Sequence, residues 1–192
     1  MSDAAGFLER LVGLLEAAGV PYMVAGSFAS TYHGVPRTTQ DIDIVVEPTF
    51  GTLGRLLNLL PEDRYYVSEQ AARDALRARG QFNVIDLESG WKVDLIIRKE
   101  RPFSREEFGR RKTACVLGVD VMVASAEDTI LAKLEWAKRS SSERQLRDVA
   151  GVLRVTGDAL DRAYLLPWLD RLGLHEQWQA ASELASPPSA GD

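Results

Sequence analysis

The sequence contains a single cysteine, Cys115, in 192 residues. One thiol excludes an intrachain disulfide framework and a cysteine-based zinc site. Long apolar runs are also missing, because no stretch reaches the roughly 20 residues that a membrane-spanning helix needs. The first turns carry Asp3, Glu9 and Arg10, which argues against a secretory signal peptide. We therefore expect a cytoplasmic protein that has no membrane partner.

An excess of positive charge is absent as well. The chain has 23 Lys and Arg against 28 Asp and Glu, a formal net charge of −5 at pH 7. This balance argues against strong nonspecific RNA binding. A local basic stretch over residues 98–112 is diluted by Glu100, Glu106 and Glu107. A solvated connecting helix is therefore favoured over an RNA-binding patch.

The distribution of patterns along the chain predicts its organisation. Strand-like and helical segments alternate up to residue 125, and helical periodicity prevails afterwards. Ser125 and Asp128 form a start that is similar to a capping box. We predict an α/β (α+β) fold, a mixed sheet flanked by helices with a C-terminal helical region. The expected parts are a main domain over 1–125, the helical region over 126–185 and a flexible tail over 186–192.

A strand-to-helix junction is predicted at Gly26 and Ser27. The apolar run over 22–25 stops there, and a helical pattern follows it. Gly26 lets the chain approach a ligand closely, and Ser27 can cap the helix or donate its hydroxyl. The unpaired N–H groups of a helix N-terminus favour a phosphate. Because Gly-Ser is common at ordinary turns, the pair gains weight only together with the acidic residues that follow.

Three carboxylates lie in segments with strand patterns. In the segment 41–46, alternation sends Asp41 and Asp43 to one face of the strand. Asp94 is the sole acid of the segment 91–97, which we expect to pair in a hairpin with 82–87. If the strands are neighbours, the three acids can bind two divalent ions about 3.5–4 Å apart.

Each acid has an expected role in that site. Oxygen ligands suit Mg²⁺ or Mn²⁺. Asp41 and Asp43 would hold the metal, while Asp94 would bind the catalytic metal or take a proton from an attacking hydroxyl. Arg37 and Thr38 precede the acidic strand, where Arg37 could neutralise a triphosphate or pair with Asp41 or Asp43. A solvated edge strand would by itself account for Asp41 and Asp43. It would not account for their combination with Gly26-Ser27 before them and Asp94 after them.

These segments resemble a known superfamily. Residues 24–27 (VAGS), 37–44 (RTTQDIDI) and 93–95 (VDL) resemble the signature of the DNA polymerase β-like nucleotidyltransferases. Within that group the chain is most similar to minimal nucleotidyltransferases related to AbiEii-type toxins. The resemblance covers about residues 20–155. It implies that residues 1–125 form the catalytic domain, and that Gly26 and Ser27 bind the nucleoside triphosphate.

The same resemblance implies further site residues. Asp41, Asp43 and Asp94 match the catalytic, metal-binding acids, with Arg37 and Thr38 beside the nucleotide. The toxin-like branch also has a lysine and an acid in a following helical region, which Lys133 and Asp148 match as further nucleotide-binding residues. Lys133 would hold the γ-phosphate, and its alternative is a solvated helix charge.

The implied activity is transfer of a nucleoside monophosphate from a nucleoside triphosphate to an acceptor hydroxyl, with release of pyrophosphate. The acceptor could be a tRNA 3′ end, a protein or a small molecule, and a toxin would have a cognate antitoxin. An antibiotic-modifying enzyme would need an acidic acceptor pocket, which Glu135, Glu143 and Asp148 could supply. A non-catalytic nucleotide-binding protein would instead bind without turnover.

Overall fold

The computed structural model describes residues 3–39 and 41–186. Gln40 and residues 187–192 of the tail predicted over 186–192 lie outside these ranges. The fold is mixed α/β, as the sequence predicted, and its described residues divide into two compact units. Among the described residues, the first unit comprises 3–25, 39 and 41–124, and the second comprises 26–38 and 125–186.

The first unit is built on a sheet of seven strands, accompanied by helices. The strands are β1 (Tyr22–Val24), β2 (Asp41–Val46), β3 (Tyr65–Val67), β4 (Gln81–Asp86), β5 (Lys92–Ile97), β6 (Lys112–Val116) and β7 (Val119–Val123). The helices of this unit are α1 (Asp3–Ala17), α3 (Phe50–Leu59), α4 (Glu69–Ala78) and α5 (Pro102–Gly109). The helices of the second unit are α2 (Gly26–His33), α6 (Ala126–Ser140), α7 (Glu143–Thr156), α8 (Arg162–Leu172) and α9 (His175–Ala185).

The sheet is mixed, with strand order β3-β4-β5-β2-β1-β7-β6. The β2–β5 and β1–β7 pairs are parallel, and the other neighbours are antiparallel. The predicted hairpin of β4 and β5 is confirmed. In the β6–β7 hairpin, Leu117 and Gly118 have φ of 54° and 82°, as the two central residues of a type I′ turn require. This topology places β2 and β5 side by side at the centre of the sheet.

Helix α1 supplies a large part of the apolar core of the first unit. Phe7, Leu8, Leu11 and Leu15 are fully buried and recur at helical spacing. Burial of each such side chain contributes about 1.5–3 kcal/mol. The helix contacts β7 and α3. It ends in a Schellman motif at Gly19, whose φ is 68°, and the chain then turns into β1.

The second unit is helical, and α2 packs against α6 and α7. Its core is formed by apolar side chains of several helices, among them Leu131, Leu134, Val149, Leu165 and Leu169. Ser125 caps α6, because its hydroxyl accepts from Asp128 N at 3.1 Å and lies 2.7 Å from the Asp128 carboxylate. No helix in residues 3–39 and 41–186 is long and apolar enough to cross a membrane.

The close approach of the α2 end to α7 gives a stability prediction. A Cβ at Gly34 would lie 2.7 Å from Val152 N and 2.8 Å from Gly151 C. Because those atoms are backbone, they cannot rotate away. We expect Gly34→Ala to lower the free energy of unfolding by about 1–3 kcal/mol, the range of overpacked cores. Urea denaturation followed by circular dichroism measures the change.

The matched control is Gly13→Ala inside α1. A Cβ at Gly13 meets nothing within 4 Å. Alanine also favours the helix more than glycine, so we expect stability to rise by about 0.5–1 kcal/mol. Equal denaturation midpoints for Gly34→Ala and the wild type would show that the α2–α7 approach is not tight.

Candidate functional site

Strands β2 and β5 bring the predicted acids together on one face. In their parallel register Asp43 lies opposite Asp94, and Asp41 lies opposite Lys92. Alternation therefore puts all four side chains on the same face, while residues such as Ile42 are buried on the other. The prediction that neighbouring strands carry Asp94 beside Asp41 and Asp43 is confirmed. We call Asp41, Asp43 and Asp94 the carboxylate row.

Lys92 bridges two members of the carboxylate row. Its Nζ lies 3.3 Å from Asp41 Oδ1 and 3.4 Å from Asp94 Oδ2. Burial alone would lower the pKa of Lys92, but the charge of Asp94 and the hydrogen bond and charge of Asp41 outweigh it and raise the pKa. The bridging group is therefore a charged ammonium at neutral pH.

One oxygen atom of the carboxylate row is available to bind a ligand. Asp94 Oδ1 is buried, and among the described residues it has no hydrogen-bond partner. A buried carboxylate oxygen without a partner is costly, and a hard cation is a ligand that would satisfy it. Within residues 3–39 and 41–186, no three His, Cys, Asp or Glu side chains are arranged to hold a metal ion. Carboxylate oxygens suit Mg²⁺ or Mn²⁺ by their chemistry, but the described residues do not show the three acids arranged around one ion, so the three-carboxylate metal site remains a prediction.

A second cluster lies in the helical unit, and we call it the Asp148 network. Arg37 donates to both carboxylate oxygens of Asp148, from Nε at 2.8 Å and from Nη2 at 3.0 Å. The same Nη2 also donates to Ser27 Oγ. Lys133 Nζ donates to Asp148 Oδ2 at 2.7 Å and to Gln145 Oε1 at 3.0 Å. One carboxylate thus orients two cations and, through Arg37, the serine hydroxyl.

The electrostatics of the Asp148 network favour an anionic ligand. Lys133 is only 4% exposed, and the side chain of Asp148 is 7% exposed. Burial alone would raise the pKa of Asp148, but hydrogen bonds from Arg37 and Lys133 outweigh it and lower the pKa. These three groups carry two positive charges and one negative charge. The surplus positive charge lies beside Ser27 at the start of α2, where helix N–H groups attract anions.

Gly26 begins α2 with a φ of 56°. This left-handed conformation is adopted readily by glycine and at a cost by residues with a Cβ. Thr38 is exposed, and its carbonyl oxygen accepts from Arg37 Nη1 at 3.2 Å. Both residues therefore belong to the segment that carries Ser27 and Arg37, while their contact with a nucleotide remains a prediction.

Two alternatives from the sequence are wrong. Arg37 pairs with Asp148, not with Asp41 or Asp43. Lys133 is not a solvated helix charge, because it is buried and ion-paired. Both errors have one cause: Asp148 is distant in sequence and lies on another helix, so local patterns did not show its contacts.

Several of the other charged groups considered from the sequence have structural partners. In the basic stretch, Arg98 pairs with Glu47, and Arg105 pairs with Glu100 at 2.7 Å. Of the acids considered for an acceptor pocket, Glu143 pairs with Arg147 at 2.6 Å. Arg98 and Arg105 are thus each paired with an acid.

Sequence reasoning missed two residues that contact the predicted site. Lys92 had a usable signal, because it stands two positions before Asp94 and alternation places it on the same face. Gln145 had none, since its role depends on the packing of α7 beside Lys133 on α6.

The chain matches no protein-family model and no curated protein. It does match solved structures. The crystal structure of ANT(2″)-Ia in complex with adenylyl-2″-tobramycin aligns with a TM-score of 0.62 and 14% identity, over 88% of this chain and 99% of that one. An antigenic nucleotidyltransferase-like protein from Paracoccidioides brasiliensis aligns with a TM-score of 0.55 and 15% identity, over 96% of this chain and 94% of that one.

A third structure, lincomycin-bound lincosamide antibiotic adenylyltransferase LnuA, aligns with a TM-score of 0.54 and 13% identity, over 78% of this chain and 96% of that one. At such identities the likeness shows the fold: this chain has the mixed α/β fold of nucleotidyltransferases. That result agrees with the superfamily resemblance read from the sequence. It does not test whether the chain belongs to the AbiEii-type branch, and that assignment remains a prediction.

Proposed function

We propose that this chain is a metal-dependent nucleotidyltransferase, which moves a nucleoside monophosphate from a nucleoside triphosphate to an acceptor hydroxyl. The observation that carries the proposal is the register of β2 and β5, which sets Asp43 opposite Asp94 with Asp41 on the same face. A carboxylate row of this kind in a nucleotidyltransferase fold has a chemical use. As mere structure it would be costly, because Asp94 Oδ1 is buried with no partner among the described residues.

The carboxylate row would hold Mg²⁺ or Mn²⁺ through Asp41, Asp43 and Asp94. When bound, such an ion lowers the pKa of a coordinated hydroxyl and stabilises charge on phosphate oxygens. In the reaction the acceptor oxygen bonds to the α-phosphorus, and the bond from that phosphorus to the bridging oxygen breaks. Pyrophosphate leaves with the electron pair. Asp94, whose Oδ1 has no partner among the described residues, would use that oxygen either to bind the catalytic metal or to receive the hydroxyl proton.

The Asp148 network would bind the phosphates of the nucleoside triphosphate. Ser27 supplies a hydroxyl, and Arg37 and Lys133 supply positive charge. Asp148 would belong to the same nucleotide-binding set because it fixes the two cations, accepting from both. Gly26 and Thr38 are the first and last residues of the segment that carries Ser27 and Arg37, and they fix the course of its backbone.

The acceptor separates two candidate functions. A toxin of a toxin–antitoxin system would modify tRNA or protein and would have a cognate antitoxin, as the sequence resemblance implies. An antibiotic or small-molecule nucleotidyltransferase is the second candidate, because two of the similar structures are complexes with adenylyl-2″-tobramycin and with lincomycin. The net charge of −5 and the pairing of Arg98 and Arg105 with acids favour a small acceptor over a large RNA surface.

Transfer of α-³²P label tests both candidates at once. Each of the four nucleoside triphosphates is incubated with the protein and Mg²⁺ or Mn²⁺, in the presence of total tRNA, a protein extract, tobramycin or lincomycin. We expect label on one acceptor class and release of pyrophosphate. Label on tRNA or protein supports the toxin, and label on an antibiotic supports the second candidate. Nucleotide binding without label on any acceptor would favour the binding-only alternative.

A further inference from the structure

Lys92 holds the position in the carboxylate row that a cation would take. Its ammonium contacts Asp41 Oδ1 and Asp94 Oδ2, one oxygen from each strand, at 3.3 and 3.4 Å. The two carboxylates are differently placed, since the Asp41 side chain is 58% exposed and the Asp94 side chain 15%. Lys92 thus joins an open end of the row to a largely buried one.

A purely structural role does not account for this bridge. Ion pairs with partly exposed members add little to stability, because water screens the charges and long side chains lose entropy. The side chain of Lys92 is 33% exposed, so its contacts fall in that class. The bridge also leaves Asp94 Oδ1 with no partner among the described residues. The arrangement therefore neutralises charge without satisfying the buried oxygen.

We propose that Lys92 is a resident counter-ion of the carboxylate row, which occupies the row in the metal-free protein and gives way to the divalent cation. The inference rests on the proposed metal site. A lysine suits this exchange because its compact ammonium sits on a flexible four-carbon stem and can swing away without moving the strand.

The exchange has a consequence for nucleotide binding. With Asp41 and Asp94 engaged by a divalent cation, the ammonium of Lys92 would lose its carboxylate contacts and would be available to an anion. A triphosphate that arrives with the cation supplies that anion. Binding of the cation and of the triphosphate is therefore coupled through Lys92, and linkage makes the coupling reciprocal. In the absence of nucleotide, Lys92 competes with the cation and weakens its binding.

Mn²⁺ binding followed by electron paramagnetic resonance tests the competition directly, because the signal of free Mn²⁺ falls on binding. Lys92→Met removes the charge and keeps most of the length, and Lys92→Arg is the control that keeps the charge. Without nucleotide, we expect Lys92→Met to bind Mn²⁺ about three- to tenfold more tightly than wild type, the scale of two lost surface ion pairs. Lys92→Arg should stay near the wild type. Equal or weaker binding by Lys92→Met overturns the proposal.

The same titration with an α,β-methylene nucleoside triphosphate tests the coupling. The analogue should tighten Mn²⁺ binding more in the wild type than in Lys92→Met, and equal tightening would contradict the exchange. Asp43→Asn distinguishes a failure of the Lys92 proposal from a failure of the proposed metal site. If that variant loses Mn²⁺ binding while Lys92→Met matches the wild type, the metal site stands and the Lys92 role is wrong. If Mn²⁺ binding is unchanged in Asp43→Asn, both the metal site and the Lys92 role are wrong.

Discussion

Asp43→Asn is expected to abolish nucleotidyl transfer and to leave the fold intact. Asp43 is half-buried on β2 and directly opposite Asp94, so it lies at the centre of the carboxylate row. Asparagine keeps the size of the side chain and the backbone ladder but loses the charge that a divalent cation needs. We expect kcat to fall by about 10³-fold or more, as in other sites where one charged group is removed from a preorganised set. Initial rates of pyrophosphate release measure the loss.

Asp120→Asn is the matched control for this experiment. Asp120 is an exposed carboxylate on β7, outside the carboxylate row. The same chemical change there should leave the rate within about twofold of the wild type, because surface substitutions away from a site have small effects. Circular dichroism should give similar melting curves for all three proteins. Transfer by Asp43→Asn at the rate of the Asp120→Asn protein would remove the carboxylate row from the mechanism.

The centre of the sheet could be predicted because its signals are local. Alternation along β2 sets Asp41 and Asp43 on one face whatever else the chain does. The hairpin of β4 and β5 follows from two strand patterns joined by a short polar turn. Only the adjacency of β2 and β5 required a further assumption, and their parallel pairing confirms it.

The helical part of the candidate site depends on contacts between distant residues. Arg37 and Asp148 are 111 positions apart, and their bidentate pair is formed only when α2 packs against α7. For the same reason the segment Gly26–Thr38 groups with the C-terminal helices although it follows β1 in sequence. The burial of Lys133 follows from that packing too. A pattern of period 3.6 predicts a helix and its apolar face, but it does not identify the residue that pairs with a charge.

Asp148→Ala is expected to destabilise the helical unit strongly. Its carboxylate accepts from both Arg37 and Lys133, and Lys133 is 4% exposed. Removal of one partner from a buried ion pair typically costs about 3–5 kcal/mol, because the remaining charge loses its compensation. The exposed pair of Arg147 and Glu143 on the same helix provides the control. Arg147→Ala should cost only about 0.5 kcal/mol or less. Thermal and urea denaturation measure both variants.

The difference in stability between the wild type and Asp148→Ala should depend on pH, because the pKa of Asp148 is lowered in the folded chain. A carboxyl whose pKa is lower in the folded chain than in the unfolded one contributes stability while it is ionised in both states. The contribution of Asp148 is therefore complete above its ordinary pKa of 3.8 and is lost as the pH falls below that value through the lowered pKa. The wild type should approach Asp148→Ala in stability as the solution becomes more acidic. A difference that stays constant over this range would assign the loss to packing and not to charge. Since this test involves neither nucleotide nor metal, it checks the ion network independently of the proposed reaction.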